Sequence, residues 1–167
     1  TAWFSASPLL FAGQPEHGIE PLIDSMRDGA VDTLICLGGN PVYSMAHSAG
    51  FSRLLHGVPQ KVYHGLYENE TARASNWMVP AAHYLESWGD TRAADGTLSI
   101  VQPLITPLFG GRSEPEVLNA LIGGGDASPS DLLRAAWTRG GRNEESWREA
   151  LGRGVVPDTA FPRESVK

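Results

Sequence analysis

Thr33-Leu34-Ile35-Cys36-Leu37-Gly38-Gly39-Asn40-Pro41 is the stretch that decides the fold of this chain. Its first half is apolar, as expected of a strand covered on both faces of a sheet. Gly38 and Gly39 then make a turn, and Pro41 suits the first position of a helix because its missing N–H needs no partner there. The stretch therefore predicts a strand, a turn shaped to face a ligand, and a helix start.

The sequence on either side of this stretch continues the alternation of helices and strands. An apolar face at helical spacing predicts a helix before the stretch, over residues 19–27. Further elements are predicted after it: a helix ending at Gly57, a strand over 62–66, a short helix over 70–74 and a strand over 77–80. This order is typical of a parallel sheet with right-handed crossovers. We expect an α/β fold, a Rossmann-like parallel sheet with flanking helices, plus a C-terminal helical extension.

The pattern changes after Pro80. Residues 81–86 fit a helix, 87–96 a loop, 98–101 a short strand and 102–112 an irregular segment. Three further helices are predicted: over 114–122, over a segment capped by Ser128 before Pro129, and over 143–151. The tail from Val155 looks extended. The predicted division is a linker over residues 1–15, a Rossmann-like domain over 16–112, and a helical extension with an extended tail over 113–167.

Length, charge and cysteine content restrict the function. The 167 residues suit one domain, or one domain plus an extension. A net charge of -6 without a basic run argues against a nucleic-acid partner. Cys36 is the only cysteine, so the chain has no disulfide framework and no cysteine-rich metal or iron–sulfur site. No apolar run approaches the ~20 residues of a membrane span. Because the chain begins at Thr1 without Met, we expect it to be a piece of a longer protein.

The turn after the predicted strand is the candidate ligand site. In an open parallel sheet, ligands bind at the carboxyl ends of the strands. Gly38 and Gly39 would let the backbone approach a ligand closely, and the following helix start favours an anion such as a phosphate. Asn40 could contact a base edge or cap the helix. The dinucleotide fingerprint with three glycines is absent, and a tight strand-to-helix turn explains the motif equally well.

The remaining polar residues form no recognisable catalytic set. The candidate acids are Glu70, Glu86, Asp90 and Asp95, and the candidate bases are His64 and His83. His83 and Glu86 would share a face if residues 81–86 were helical, but nothing completes a metal-ligand set. The nucleophile motif of the α/β-hydrolases is missing. We therefore predict neither a catalytic residue nor a metal site. Four tryptophans in different segments are expected to pack internally: Trp77, Trp88, Trp137 and Trp147.

Three motifs in this order resemble a known family: Leu37-Gly38-Gly39-Asn40-Pro41, then Glu70-Thr71-Ala72, then residues 79–86. They resemble the third domain of the molybdopterin oxidoreductase superfamily, of the dimethyl-sulfoxide-reductase type. In that family the domain is a Rossmann-like unit that helps hold one guanine-dinucleotide arm of a bis-pterin molybdenum or tungsten cofactor. The resemblance implies a nucleotide site, vestigial or intact, lined by Gly38, Gly39, Asn40, Pro41, Glu70 and Thr71.

A narrower resemblance covers residues 83–90, 94–97, 100–105, 107–111 and 147–161. These segments look like the large iron–sulfur subunit of alternative complex III, a membrane-bound quinol:electron-acceptor oxidoreductase. That subunit fuses a molybdopterin-oxidoreductase-like region without cofactor to an iron–sulfur region. The resemblance implies iron–sulfur clusters elsewhere in the parent chain. It implies as partners the rest of that chain and other subunits of a membrane-bound respiratory complex, on the periplasmic face of the bacterial inner membrane.

One departure from the family pattern bears on the cofactor. Cofactor-binding relatives tend to carry an Asn-x-Glu-Gly-Arg type of loop where this chain has Ala93-Ala94-Asp95-Gly96-Thr97, without the Asn and the Arg. A diphosphate favours that cation. The family's final β-barrel domain has no counterpart either. We therefore expect a scaffold domain without cofactor. The alternative is the guanine-dinucleotide-binding domain of an active molybdenum oxidoreductase, holding molybdopterin guanine dinucleotide. A stand-alone nucleotide-binding module or hydrolase would need a phosphate loop or a triad.

Overall fold

The computed structural model describes residues 4–5, 19–45 and 50–164. The strands are β1 (Phe4–Ser5), β2 (Thr33–Leu37), β3 (Gln60–Gly65), β4 (Trp77–Pro80), β5 (Gly89–Arg92), β6 (Leu98–Val101) and β7 (Arg163–Glu164). The helices are α1 (Glu20–Arg27), α2 (Pro41–Ser44), α3 (Phe51–Gly57), α4 (Glu70–Arg73), α5 (Glu114–Leu121), α6 (Pro129–Arg139) and α7 (Glu144–Arg153). The predicted α/β class, with a parallel sheet, flanking helices and C-terminal helices, is confirmed.

The chain forms two compact units. The sheet unit comprises residues 15–83 and 108–114. The tryptophan unit comprises residues 1–14, 84–107 and 115–167. A compact unit defined by internal contacts need not coincide with an evolutionary domain. The domain boundaries predicted after residues 15 and 112 therefore stay predictions. Apart from Phe4 and Ser5, the predicted linker over residues 1–15 lies outside the described residues.

The sheet unit is built on three parallel strands in the order β2-β3-β4. Leu37 lies opposite His64, and Val62 lies opposite Trp77. The crossovers run through α2 and α3, then through α4, so each strand ends at the same edge of the sheet. The buried core is formed by Met26, Phe51, Leu55 and Val58. This packing fixes the edge on which the loops after β2 and β3 meet.

The tryptophan unit packs its helices on an antiparallel hairpin. In the β5–β6 hairpin, Gly89 lies opposite Val101. The core of the tryptophan unit is formed by Ile100, Trp137, Trp147, Ala150 and Val156. The Trp147 ring lies 5.4 Å from that of Trp137 and 6.5 Å from that of Trp88, centroid to centroid. The packing roles predicted for these three tryptophans are confirmed. The short pair β1–β7 is also antiparallel.

Two local predictions after Pro80 are wrong. Residues 81–86 are not helical, because the backbone of Ala81 pairs with Arg112 and continues the strand direction of β4. His83 and Glu86 therefore share no helix face. The predicted loop over residues 87–96 contains β5, whose polar sequence carries no strand pattern and which forms by pairing with β6.

The described residues contain neither a helix that could span a membrane nor a cluster of metal-ligating side chains. None of their helices is long and apolar enough to cross a bilayer. Among the same residues, no group of three or more histidine, cysteine, aspartate or glutamate side chains could hold a metal ion.

Candidate functional site

The candidate site lies at the carboxyl edge of the parallel sheet, where all six predicted residues meet. Gly38, Gly39 and Asn40 connect β2 to α2, which begins at Pro41, and Glu70 and Thr71 begin α4. Gly38 and Gly39 have φ angles of +67° and +66°, in the left-handed region that favours glycine. A Cβ at Gly39 would meet nothing within 4 Å, so the backbone conformation, not lack of space, requires glycine there.

Asn40 and Thr71 join the two loops through their side chains. The Asn40 Nδ2 donates to Glu70 Oε2 at 2.6 Å, and Thr71 Oγ1 donates to Asn40 Oδ1 at 2.8 Å. The same Thr71 oxygen accepts the N–H of Val42 at 3.1 Å. Asn40 makes no side-chain cap on α2. Both ends of its amide are used across the gap between the loops, and Thr71 is only 1% exposed.

A second group of contacts lies beside the first. The Tyr63 hydroxyl donates to the carbonyl oxygen of Gly39 at 3.0 Å, and Asn69 Nδ2 donates to that hydroxyl at 2.7 Å. The Asn69 Oδ1 accepts the N–H of Ala72, so Asn69 also caps α4. A Cβ on Gly65 would overlap the Tyr63 ring. Gly65 therefore gives Tyr63 the room to lie along the strand and reach the loop after β2.

These contacts together form one unit, which we name the inter-loop clasp. Its members are Gly39, Asn40, Tyr63, Asn69, Glu70 and Thr71. The sequence predicted Gly39, Asn40, Glu70 and Thr71 but missed Tyr63 and Asn69. Asn69 carries a readable signal, since it stands at the cap position of a predicted helix. Tyr63 carries none, because it lies in an apolar strand like any packing residue.

The Asn40 contact changes the acidity of Glu70. The hydrogen bond from Asn40 is the largest cause that lowers the pKa of Glu70, followed by a backbone N–H, while the Arg73 charge adds a smaller effect. The slight burial of the carboxyl acts in the opposite direction. The clasp therefore holds a carboxylate, not a neutral acid, at the edge of the sheet.

Stability should depend on pH through Glu70. Because the folded pKa is depressed, the stabilisation is complete above the unfolded pKa and is lost as pH falls through the folded pKa. The difference in free energy of unfolding between the wild type and Glu70→Gln should therefore shrink from pH 7 to pH 3. Urea denaturation across this range measures it. Glu68→Gln, which removes an exposed carboxylate 3.5 Å from Arg73 and outside the clasp, is the matched control. A difference independent of pH would contradict the prediction.

Thr71→Val should weaken the clasp without changing its shape. The substitution leaves Asn40 Oδ1 and the Val42 N–H without their partner, at an expected cost of about 1–3 kcal/mol in unfolding free energy. Thr71→Ser keeps the hydroxyl and is the control. Hydrogen exchange separates the two, since the Val42 amide should exchange faster in Thr71→Val alone. Equal exchange in both variants would show that this hydrogen bond does not hold the loops.

The candidate base His64 lies buried in the sheet unit. His64 is 1% exposed; its Nδ1 lies 3.1 Å from the carbonyl oxygen of Val79, and its Nε2 has no partner among the described residues. Its position is that of a core residue of β3. Cys36 is half-buried, and burial raises the pKa of its thiol.

Trp77 is 67% exposed, so its predicted internal packing is wrong: it begins an edge strand, and the described residues leave it uncovered.

The loop over residues 93–97 is the turn of the β5–β6 hairpin. Ala93 donates its N–H to the carbonyl oxygen of Thr97, and Asp95 accepts the N–H of Thr97, which lowers the pKa of Asp95. The backbone N–H of Phe161 donates to the carbonyl oxygen of Asp95 at 2.7 Å. A Cβ on Gly96 would lie 2.6 Å from the Phe161 ring. A later segment of the same unit therefore covers this turn.

The chain is distantly similar to a known protein. The chain matches no family model. It is 30% identical over 122 residues to the menaquinone reductase, molybdopterin-binding-like subunit of Nitratidesulfovibrio vulgaris. The alignment covers 68% of this chain but 18% of that subunit, so the chain spans less than a fifth of the relative's length. The match supports a relationship to the molybdopterin oxidoreductases and does not distinguish between their subfamilies.

Proposed function

We propose that the chain is a scaffold domain within a subunit of a quinone-linked oxidoreductase, and that it carries no cofactor of its own. The relative described above is named as a molybdopterin-binding-like subunit of a menaquinone reductase. The parallel sheet with its loops at the carboxyl edge is the architecture that the resemblance to molybdopterin oxidoreductases implies. This chain would then serve as a structural part of such a subunit, and the redox chemistry would take place in other parts of the assembly.

The observation that carries the absence of cofactor is the inter-loop clasp. Asn40 and Thr71 are the side chains expected to face a nucleotide, and they hydrogen-bond to each other instead. The amide nitrogen of Asn40 is used by Glu70, whose carboxylate places a negative charge beside the glycine turn. The Glu70 carboxylate and a phosphate at this edge would repel each other, which disfavours anion binding. The contacts thus favour a role in holding the loops together.

The hairpin turn over residues 93–97 supports the same proposal. Cofactor-binding relatives carry a cation in the loop that resembles this one, and here the position is taken by Thr97. The turn is also occupied by its own chain, since Phe161 lies against Gly96 and the Arg92 guanidinium lies 5.5 Å from the Phe161 ring. The Arg92 guanidinium also donates to the carbonyl oxygen of Gly96. These groups are engaged in closing the turn.

The assembly in which this domain would serve follows from the narrower resemblance to alternative complex III. We propose as partners the rest of the parent chain, with its iron–sulfur clusters, and other subunits of a membrane-bound respiratory complex. The proposed location is the periplasmic face of the inner membrane.

A guanine-dinucleotide-binding domain is the second candidate function. It is favoured by the meeting of Gly38, Gly39, Asn40, Pro41, Glu70 and Thr71 at the sheet edge where open α/β sheets bind ligands. In that case the ligand would be the guanine-dinucleotide arm of molybdopterin guanine dinucleotide, approached by the glycine backbone.

Titration with GDP separates the two candidates. The scaffold proposal expects no binding heat in calorimetry and no movement of the Gly38, Gly39 and Asn40 amide resonances in NMR spectra. Saturable binding that shifts these resonances would contradict it. In that event Asn40→Ala serves as the specificity control, because a true site at this edge would lose affinity when Asn40 is removed.

A further inference from the structure

A cleft in the tryptophan unit is lined mainly by apolar side chains. It lies between α5, α6 and the hairpin strand β5, and its volume is about 320 Å³. All the residues that line it belong to the tryptophan unit. The large or apolar members of the lining include Trp88, Leu118, Ile122, Leu132, Leu133 and Ala136. Ligand sites in proteins typically have volumes of ~300–1,000 Å³ and an apolar lining with a few polar groups.

The helix α5 faces this cleft with apolar side chains that its own unit does not bury. None of the eight residues of α5 is buried, and Leu118 and the following Ile122 are exposed. A helix this short needs an apolar cover, since isolated helices shorter than ~12–15 residues are marginal in water. The opposite wall is formed by Leu132 and Leu133 of α6, which are half-buried. An apolar group between these walls would cover α5 and fill the cleft.

The volume and the lining of the cleft indicate the size and shape of its ligand. An apolar cavity of ~150 Å³ accommodates one benzene ring. The larger volume of this cleft therefore suits two fused rings. Trp88 lines the cleft, and its ring is stacked on that of Trp147 at 6.5 Å between centroids. Because aromatic rings pair favourably with other aromatic rings, this lining favours a planar aromatic ligand over a branched aliphatic one.

Two opposite charges in the lining restrict the polar group of the ligand. Asp90 and Arg139 both line the cleft and are exposed, and among the described residues neither side chain has a hydrogen bond or ion pair. The third polar residue, Asn119, is already engaged, because its Nδ2 donates to the carbonyl oxygen of Gly125. A ligand carboxylate would be repelled by Asp90, and an ammonium group by Arg139. A neutral hydroxyl can donate to the carboxylate and accept from the guanidinium.

We propose that this cleft binds a neutral aromatic molecule of two fused rings that carries a hydroxyl group. The rings lie between α5 and α6 beside Trp88, and the hydroxyl faces Asp90 and Arg139. The site is distinct from the inter-loop clasp, whose residues all belong to the sheet unit. This inference does not depend on the proposed function.

Calorimetric titration of the chain with 2-naphthol tests the site. We expect saturable binding, and slower hydrogen exchange of the Leu118 amide when 2-naphthol is bound, because the ligand covers α5. Ala136→Leu adds three carbons inside the cleft and should weaken binding at least about tenfold, since they take the place of part of the ligand. Ala135→Leu is the matched control: it adds the same carbons at the neighbouring exposed position, which does not line the cleft.

A second variant tests the polar contact. Arg139→Met keeps an unbranched side chain and removes the N–H donors. It should weaken the binding of 2-naphthol roughly tenfold and leave the binding of naphthalene, which has no hydroxyl, unchanged. The absence of saturable 2-naphthol binding would overturn the proposal and leave the cleft to a protein partner. Equal affinities in Ala136→Leu and Ala135→Leu would also overturn it, as would an equal loss of both probes in Arg139→Met.

Discussion

Trp147→Ala lowers the free energy of unfolding of the chain by about 3–5 kcal/mol, the largest loss expected from a single substitution described here. Trp147 is 6% exposed and lies between two further tryptophan rings. The edge-on contact with Trp137, at 5.4 Å and 68°, adds a directional term to the loss of buried area. Since no neighbouring side chain can fill so large a space, a cavity remains in the core of the tryptophan unit.

Chemical denaturation followed by near-ultraviolet circular dichroism measures this loss. Trp77→Ala is the matched control, because it removes the same side chain from a position that is 67% exposed. We expect the control to change the unfolding free energy by less than about 1 kcal/mol. Equal losses in the two variants would show that Trp147 does not hold the core that its ring contacts indicate.

Gly65→Ala should lower the unfolding free energy by about 3 kcal/mol, at the upper end of the cost of overpacking. The new Cβ would occupy the space of the Tyr63 ring, which is itself buried. The ring must move, and its hydrogen bonds with Gly39 and Asn69 are then lost or stretched. The substitution therefore disrupts the inter-loop clasp through Tyr63 in β3. It changes none of the six residues that the sequence predicts at the site.

A double-mutant cycle identifies the mechanism. Tyr63→Leu removes the ring and the hydroxyl, at its own cost. Adding Gly65→Ala to that background should cost less than about 1 kcal/mol, because the clash no longer exists. If the cost of Gly65→Ala is the same in both backgrounds, the Tyr63 ring is not what requires glycine at position 65. The amide of Gly39 reports the state of the loop in NMR spectra of each variant.

The parallel sheet could be predicted because its signals are local. The apolar stretch at β2, the glycine turn and Pro41 fix a strand, its end and the next helix within nine residues. The helix start at Ser128 was equally readable, since the serine side chain accepts the N–H of Asp131 as a cap should. In these segments local preference and tertiary packing favour the same structure.

The errors lie where strand pairing or exposure decides the structure and the local sequence pattern does not. Residues 81–86 have a helical composition, but the backbone of Ala82 bonds to the carbonyl oxygen of Arg112. β5 forms against β6 although its own sequence is polar. The exposure of Trp77 likewise depends on what covers the sheet edge, which no local pattern encodes. Tertiary pairing overrides propensity at each of these positions.

The candidate site was predictable in its position and not in its internal contacts. The strand ends place Asn40 and Thr71 at one edge, and any parallel sheet of this order would do so. That their side chains bond to each other, with Tyr63 and Asn69 beneath them, depends on side-chain reach across the sheet. This difference matters for function, because the same residues in an open arrangement would favour a nucleotide site.

The most direct test of the proposed scaffold role is the cofactor content of the native polypeptide that contains this chain. We would purify it from its own cells and measure molybdenum and tungsten by mass spectrometry and pterin by fluorescence after oxidation. The scaffold account predicts that neither metal nor pterin is present in stoichiometric amount. One molybdopterin guanine dinucleotide per polypeptide, bound with contacts to Asn40 and Gly39, would contradict it.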